Sequence, residues 1–369
     1  MRGMIFALSL FTAALMPVAR AVEAPAAGAV SDAASPEQNT APRGYRTLRL
    51  GTVQGGSSAA YALSPNGKAA GYVGFDIEGR FRPALFAAGR EPRVIHTDGP
   101  GSASGVNGLG EVVGWFQQGD RTEAFRWKFN TITTLPSLGG GSSYATAINA
   151  RSEIVGWSQA LSSGERHAVY WYGSTLIDLG TWGGLAAEAT AINRRGDIVG
   201  YREVEIDGRR VKQGVRQLKG RKPQLLRIPE GYIGLVPKAI NDNGDIAGHM
   251  YGSFGEVLGS EGFLLVGNNY SKMNEQSGYT TYGLGLNNYR EVSGYRDNFT
   301  SDPRDRGRVW RHRGQTIVGL DGLPSARNTG WWALGAAYAI NDNGVVVGVG
   351  QWGAVDARTV EAYMLVPRE

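Results

Sequence analysis

The chain has 369 residues, a formal net charge of +5 and no cysteine. Disulfides, thiolate catalysis and cysteine-ligated zinc are therefore excluded, and so slight a basic excess gives no reason to expect nucleic acid as a partner. The chain is longer than one ordinary hydrophobic core can serve, which calls for several domains or a repeated unit.

The amino terminus reads as a secretory signal peptide over residues 1–21. Arg2 gives a short positive start, Met4 to Met16 is apolar, and Ala19-Arg20-Ala21 is a small-x-small cleavage site. Cleavage there removes Arg2 and Arg20 and no acid, which lowers the formal charge to +3. No later segment approaches 18 apolar residues, so no membrane span is expected after cleavage. Residues 22–43 are rich in Ala, Pro, Ser and Gly without a strand or helix period, and read as a flexible linker. No comparable break follows, so residues 44–369 form one domain that must be stable by packing alone.

Within that domain a ten-residue phrase recurs seven times. The clearest copies run from Ala191 to Gly200 and from Ala239 to Gly248; looser copies end at Gly71, Gly114, Gly156, Gly294 and Gly348. The central position is Ser64, then Asn107, Asn149, Asn193, Asn241, Asn287 and Asn341, at gaps of 43, 42, 44, 48, 46 and 54 residues. Periods of this size signal a solenoid, a propeller or an array.

The third unit shows what each repeat contains. Ser143 to Ile148 is a strand, Asn149 to Ser152 a turn, Glu153 to Ser158 a second strand, Ala168 to Tyr172 a third and Thr175 to Thr181 a fourth. Three residues after the central position stands Gly67, Gly110, Gly196, Gly244 or Gly344, as a tight hairpin with a G1-type bulge requires. Ser152 and Arg290 replace it in units three and six, which predicts strained or differently shaped hairpins there. The Gly that closes the second strand marks a bulge or a close backbone approach, expected where blades stack. A small residue opens each third strand for the same reason.

The two ends decide between the architectures. The first unit begins with a fourth-strand sequence, Leu48 to Val53, and the last stops after a third strand, Ala362 to Val366. The amino-terminal strand is thus predicted to complete the last blade and close the ring, which removes the exposed sheet edges. The expected fold is all-β: a seven-bladed β-propeller of four-stranded blades.

Three phrases carry a family resemblance: Leu179-Gly180-Thr181-Trp182-Gly183-Gly184, Ala191 to Gly200, and His167-Ala168-Val169-Tyr170-Trp171. They resemble the repeat of the bacterial extracellular HAF-repeat family over nearly the whole mature chain, most specifically in units two to four. The resemblance implies secretion and a repeat fold and assigns no activity, so it brings no catalytic residues with it.

In such a propeller the fourth-to-first and second-to-third connections share one face around the central channel, where ligands usually sit. These connections carry Trp182, Tyr232, Tyr279, Tyr282, Trp331 and Trp332, and then Tyr251, Phe254 and Trp352. Aromatics around a concave mouth suit sugar rings, although amphipathic aromatics also pack beneath their own loops. Trp331 and Trp332, in the longest insertion, lead the ligand-binding candidates, with Trp182, Tyr232, Tyr251, Tyr282 and Trp352 beside them.

Arg209, Arg210 and Lys212 in unit four and Arg304 and Arg306 in unit six are candidate contacts for an acidic polysaccharide or a lipopolysaccharide phosphate. The plainer reading is a charged strand edge that discourages sheet pairing. The turn Asn241-Asp242-Asn243-Gly244 is hairpin chemistry rather than a calcium loop, so no metal or cofactor is expected. An enzyme reading rests on His249, Tyr251, Arg296 and Arg304, residue types that support lyase chemistry on a uronate.

The sequence therefore points to a monomeric, non-catalytic binding propeller, periplasmic or extracellular, for a cell-envelope or extracellular glycan. An envelope protein-interaction scaffold is the alternative, and a polysaccharide lyase the second alternative.

Overall fold

The computed structural model describes residues 44–74, 80–254, 257–273, 280–297, 306–310, 317–320, 323–354 and 358–368. The predicted signal peptide and linker lie outside them. Seven four-stranded antiparallel sheets follow one another along the chain and form a seven-bladed propeller. The first strand of each sheet touches the first strand of the next, so these seven strands ring the central channel. They are Ser58–Leu63, Gly101–Val106, Gly139–Ile148, Ala186–Ile192, Gly234–Ile240, Thr280–Leu286 and Trp331–Ile340.

Closure works as the split ends predict. Tyr45–Arg49 pairs antiparallel with Thr359–Pro367 and becomes the outer strand of the seventh blade. Pairing begins three residues earlier than the predicted Leu48, and Leu50, just past the strand, is 1% exposed. Arg49 locks the seam with a two-pronged ion pair, its Nε and Nη2 donating to Glu361 at 2.8 and 2.7 Å. One short helix, Pro324–Arg327, sits in the longest insertion.

The hairpin between the first two strands has one shape in all seven blades. The residue three after the central position has positive φ everywhere, including Ser152 at 61° and Arg290 at 64°. Units three and six thus keep the shape and accept the strain. Each non-glycine side chain reaches back to a carboxylate of the preceding blade: Ser152 Oγ donates to Glu111, and Arg290 Nε to Asp245 at 3.0 Å.

The central asparagine spends every polar valence. Asn241 is typical: its Oδ1 accepts from the amides of Asn243 and Asp245, while its Nδ2 donates to Asp245 Oδ2 and to the Asn287 carbonyl of the next blade at 3.1 Å. The same blade-to-blade bond runs from Asn107 to Asn149, Asn149 to Asn193, Asn193 to Asn241, Asn287 to Asn341 and Asn341 to Ser64. At the seventh interface Asn66 takes over and donates to the Gly108 carbonyl at 2.9 Å. A closed circle of side-chain amides therefore ties all seven blades together.

A bulge repeats beside it. In every inner strand the register with the second strand shifts across one residue, namely Tyr61, Ser104, Thr146, Thr190, Lys238, Leu284 or Tyr338. The bulge pushes an inner-strand carbonyl onto the second strand. A Cβ at Gly156 would overlap the Tyr144 carbonyl, one at Gly200 that of Glu188, and one at Gly294 that of Tyr282; Gly71, Gly114, Gly248 and Gly348 are alike. The closing glycine thus answers a close approach inside its own blade, not blade stacking as expected. Stacking is what selects the small third-strand residue: Ala124, Ala168 and Ala362 are fully buried, and a Cβ at Gly214 would strike Leu235 of the next blade.

Between blades lie seven apolar clusters, one per interface. That between blades two and three holds Val113, Leu135, Ile154 and Trp171. Asn193→Ala strands the Asn241 carbonyl and the Asp197 amide in this packed setting, and is expected to cost about 2–4 kcal/mol in urea unfolding. Gly200→Ala is expected to cost at least about 2 kcal/mol, because backbone rather than a side chain must give way.

Candidate functional site

The hairpins and the wall of the channel carry unlike residues. At the hairpins, a ring of buried carboxylates stands four residues after the central position: Glu111, Glu153, Asp197 and Asp245 are 1–5% exposed. Each has cationic partners. Arg126 and Lys128 both reach Glu111 at 2.7 Å, Lys219 reaches Glu153 at 2.6 Å and Arg195 reaches Asp197 at 2.9 Å. Burial alone would raise the Glu111 carboxyl, but Lys128, Ser152, Arg126 and Asn107 together hold it at about 2. These groups are paired structural charges.

Beyond the hairpins the wall of the channel is aromatic. The residue after each closing glycine points along the inner rim: Tyr72, Trp115, Trp157, Tyr201, His249 and Tyr295, with Val349 in the seventh blade. Their contacts run from blade to blade. Tyr338 meets Tyr61 edge-on at 4.8 Å, Tyr61 meets Tyr72 at 5.9 Å, Tyr72 meets Phe81 at 5.6 Å and Phe81 meets Trp115 at 6.0 Å. Trp115 stacks on Tyr144 at 5.5 Å and Tyr144 on Trp157 at 6.1 Å, with interplanar angles of 27° and 12°. Across the channel, Tyr282 stacks on Tyr295 at 4.7 Å and receives the edge of His249 at 5.0 Å. All but Tyr201 are half-buried rather than fully buried. Burial raises the phenols of Tyr61, Tyr72 and Tyr338, the last to about 12, so they stay neutral hydroxyls able to donate.

Blades four and five interrupt this belt with charge. Arg166 stacks near Trp157 at 5.7 Å and pairs with Glu203 at 2.7 Å and Glu188 at 3.7 Å. Tyr201 donates to Glu188 at 2.7 Å, and the Lys212 ammonium lies over the Tyr201 ring at 4.3 Å. Lys238 stands at the bulge of the fifth inner strand.

The candidates read from the sequence divide sharply. Among the described aromatic candidates, Tyr282 alone belongs to the channel belt. Trp331 is 6% exposed in the core between blades six and seven, its ring against Tyr363 at 5.9 Å, and Trp182 is 8% exposed and donates to Gln217. These two are structural, because the gap between neighbouring sheets accepts a whole indole. Trp332 is half-buried under Arg358 and Trp352 under Arg49, each guanidinium 3.5 Å from the ring centre. Tyr232 donates to Glu261 and lies beneath Lys272. The Tyr251 hydroxyl accepts from the Lys212 amide at 2.8 Å.

Arg209 and Arg210 are exposed at the tip of the long fourth-blade hairpin, where Arg210 approaches Glu203 at 3.8 Å. Lys212 turns to the channel, while Arg306 approaches Asp297 at 3.8 Å. Arg304, Tyr279 and the side chain of Phe254 lie outside the described residues. Of the lyase set, Arg296 stands in the sixth blade, its amide bonded to the Arg306 carbonyl. His249 is a poor base: burial, then Lys238 and Lys212, lower it to about 3. An imidazole that weakly basic draws little proton at neutral pH.

The belt as a whole is not among the candidates read from the loops. Its signal was available, since the residue after each closing glycine is aromatic or His in six of seven units.

No family model matches the chain, and no curated protein matches its sequence. Among solved structures it is similar to the β-propeller domain of the Trilobed protease from Pyrococcus furiosus, with a TM-score of 0.55 and 9% identity over 84% of this chain and 94% of that one. That domain is described as having an open velcro topology, whereas this chain closes its last blade with its first strand. YCF48 bound to D1 peptide follows at a TM-score of 0.49 and 13% identity, over 90% of this chain and 98% of that one. TolB from Acinetobacter baumannii gives 0.39 and 14% identity over 58% of this chain, which spans about half (51%) of that chain. At these identities the likeness is one of fold. No helix among the described residues is long and apolar enough to cross a membrane.

The buried charges set the acid limit of the protein. Glu111 titrates at about 2 when folded against 4.5 when free, so its contribution is complete above about pH 4.5 and is lost as pH falls through about 2. His249, at about 3 against 6.5, acts in the same direction, because the unfolded chain takes up its proton first as pH falls below 6.5. Urea midpoints measured across pH are expected to decline below about 6.5, and His249→Gln to delay that decline towards about 4.5.

Proposed function

We propose that the protein is an exported, non-catalytic binding propeller of the HAF-repeat type whose ligand is a cell-envelope or extracellular glycan. The observation that carries this reading is the half-buried aromatic belt in the wall of the channel. Sugar rings present apolar C–H faces that stack on aromatic rings while their hydroxyls bond to polar neighbours. The belt offers both, since the half-buried stack of Trp115, Tyr144 and Trp157 supplies apolar aromatic surface and the neutral phenols of Tyr61, Tyr72 and Tyr338 supply donors. The Gly, Asn and bulge pattern that holds these rings belongs to the scaffold, so the site is preformed and little ordering cost attends binding. Export is supported by the leader-like residues 1–21.

Catalysis has less support. His249 is neutral and weakly basic, the hairpin carboxylates are paired, and Tyr251 is committed to the Lys212 amide.

A second reading, a protein-interaction scaffold, draws on a different face. Leu109, Phe129 and Tyr172 are 68%, 87% and 57% exposed on hairpins of blades two and three. Apolar residues gathered like this suit a protein partner.

Glycan arrays followed by tryptophan fluorescence titration separate the two. Trp157→Ala and Trp115→Ala are each expected to weaken glycan binding by about tenfold, the equivalent of about 1.4 kcal/mol. Phe129→Ala is expected to leave it alone. Loss of binding in Phe129→Ala with none in the belt variants would refute the glycan reading.

A further inference from the structure

Six of the seven bulge positions on the inner strands hold Tyr61, Ser104, Thr146, Thr190, Leu284 and Tyr338; the seventh holds Lys238. The small hydroxyl residues Ser104, Thr146 and Thr190 are accounted for. Thr146 and Thr190 each donate to a carbonyl of the next blade, Ala189 at 2.6 Å and Pro237 at 2.8 Å, and so reinforce the ring. Lys238 does nothing of the kind. Its ammonium makes no hydrogen bond or ion pair among the described residues, although it is half-buried in the channel wall.

The charges around it explain why. Glu188 and Glu203 are the nearby acids, and they are already occupied by Arg166 and Tyr201. Lys212 is a second cation on the same side, resting on the Tyr201 ring, and it and Lys238 repel each other. His249, between this sector and Tyr282, stays neutral and adds no counter-charge. Each of the other channel-facing cations in this sector has a partner, acidic or aromatic. Lys238 alone has neither, and an unpaired ammonium beside another cation creates a local positive potential confined by low-dielectric walls.

We infer that Lys238, with Lys212 beside it, reads a carboxylate on the bound saccharide, so that the ligand is an acidic, uronate-containing glycan rather than a neutral one. The inference rests on the channel-mouth reading above. One free ammonium matches the single negative charge of a uronate, and Lys212, 4.3 Å over the Tyr201 ring, sets a second cation on the same side. The belt supplies stacking affinity common to all sugars; the lysine supplies the choice among them.

Isothermal titration of tetragalacturonate and of its fully methyl-esterified form tests this, with low- and high-salt runs and thermal melts as folding controls. The wild type is expected to prefer the acid by about tenfold, with the preference shrinking as salt rises. Lys238→Met is expected to melt as the wild type does and to bind the two forms equally; Lys238→Arg restores the preference. Trp157→Ala is expected to weaken both forms alike. Equal binding of the two forms by the wild type, or an undiminished preference in Lys238→Met, overturns the carboxylate subsite while leaving the belt intact. Binding of neither form by the wild type overturns the channel-mouth reading and the subsite together.

Discussion

A blade of this protein has no reason to stay beside its neighbour except what crosses the gap between them, and the asparagine at the head of each inner hairpin makes the most regular of those crossings. Its amide nitrogen donates forward to the next blade while its oxygen holds its own turn together through two backbone amides. One side chain thus fixes a local conformation and a long-range contact at the same time. Six such residues, with Asn66 serving the seventh interface, turn a row of sheets into a ring. Everything else inherits that geometry. The bulge sits at a fixed distance from the asparagine, the glycine must face the bulge, and the residue after the glycine is thereby aimed at the inner rim. Closure completes the arrangement, because a ring held by blade-to-blade bonds tolerates no unpaired edge, and Tyr45–Arg49 supplies the missing strand.

Regularity separates structure from function here. Positions that repeat in kind are spent on the scaffold: the asparagine, the glycine, the small residue of the third strand and the carboxylate of the hairpin are all bonded or packed. Positions that repeat in place but vary in kind are free to differ, and these line the channel. The bulge residues and those after the closing glycine range over Tyr, Trp, His, Lys, Leu, Thr, Ser and Val. Their variety is what gives the channel mouth distinct sectors, aromatic around blades seven, one, two and three and cationic around blades four and five.

This also explains what the sequence discloses. The seven units are legible because the central Asn recurs in six of them and the closing Gly in all seven, and the ring closure because the two ends carry complementary parts of one unit. The positive φ at Ser152 and Arg290 is less legible, since glycine is absent and only the ion pair or hydrogen bond to the preceding blade shows what the side chain gains. The loop aromatics mislead for a physical reason. Trp182 stands in a connection between blades and Trp331 opens the seventh inner strand, yet both indoles are buried in the space between neighbouring sheets. Trp115 and Trp157, by contrast, sit in ordinary strand sequence, where an aromatic reads as core. Only their position one residue past a backbone contact that forbids a Cβ places them on the rim.

The account ties binding to the aromatic wall of the channel, and a crystal structure of the protein with a bound acidic oligosaccharide tests that most directly. The account predicts sugar rings against Trp115, Tyr144 and Trp157, with a carboxylate turned towards Lys238. A ligand seated on the hairpin face, or on the exposed hairpin that carries Arg209 and Arg210, would contradict it.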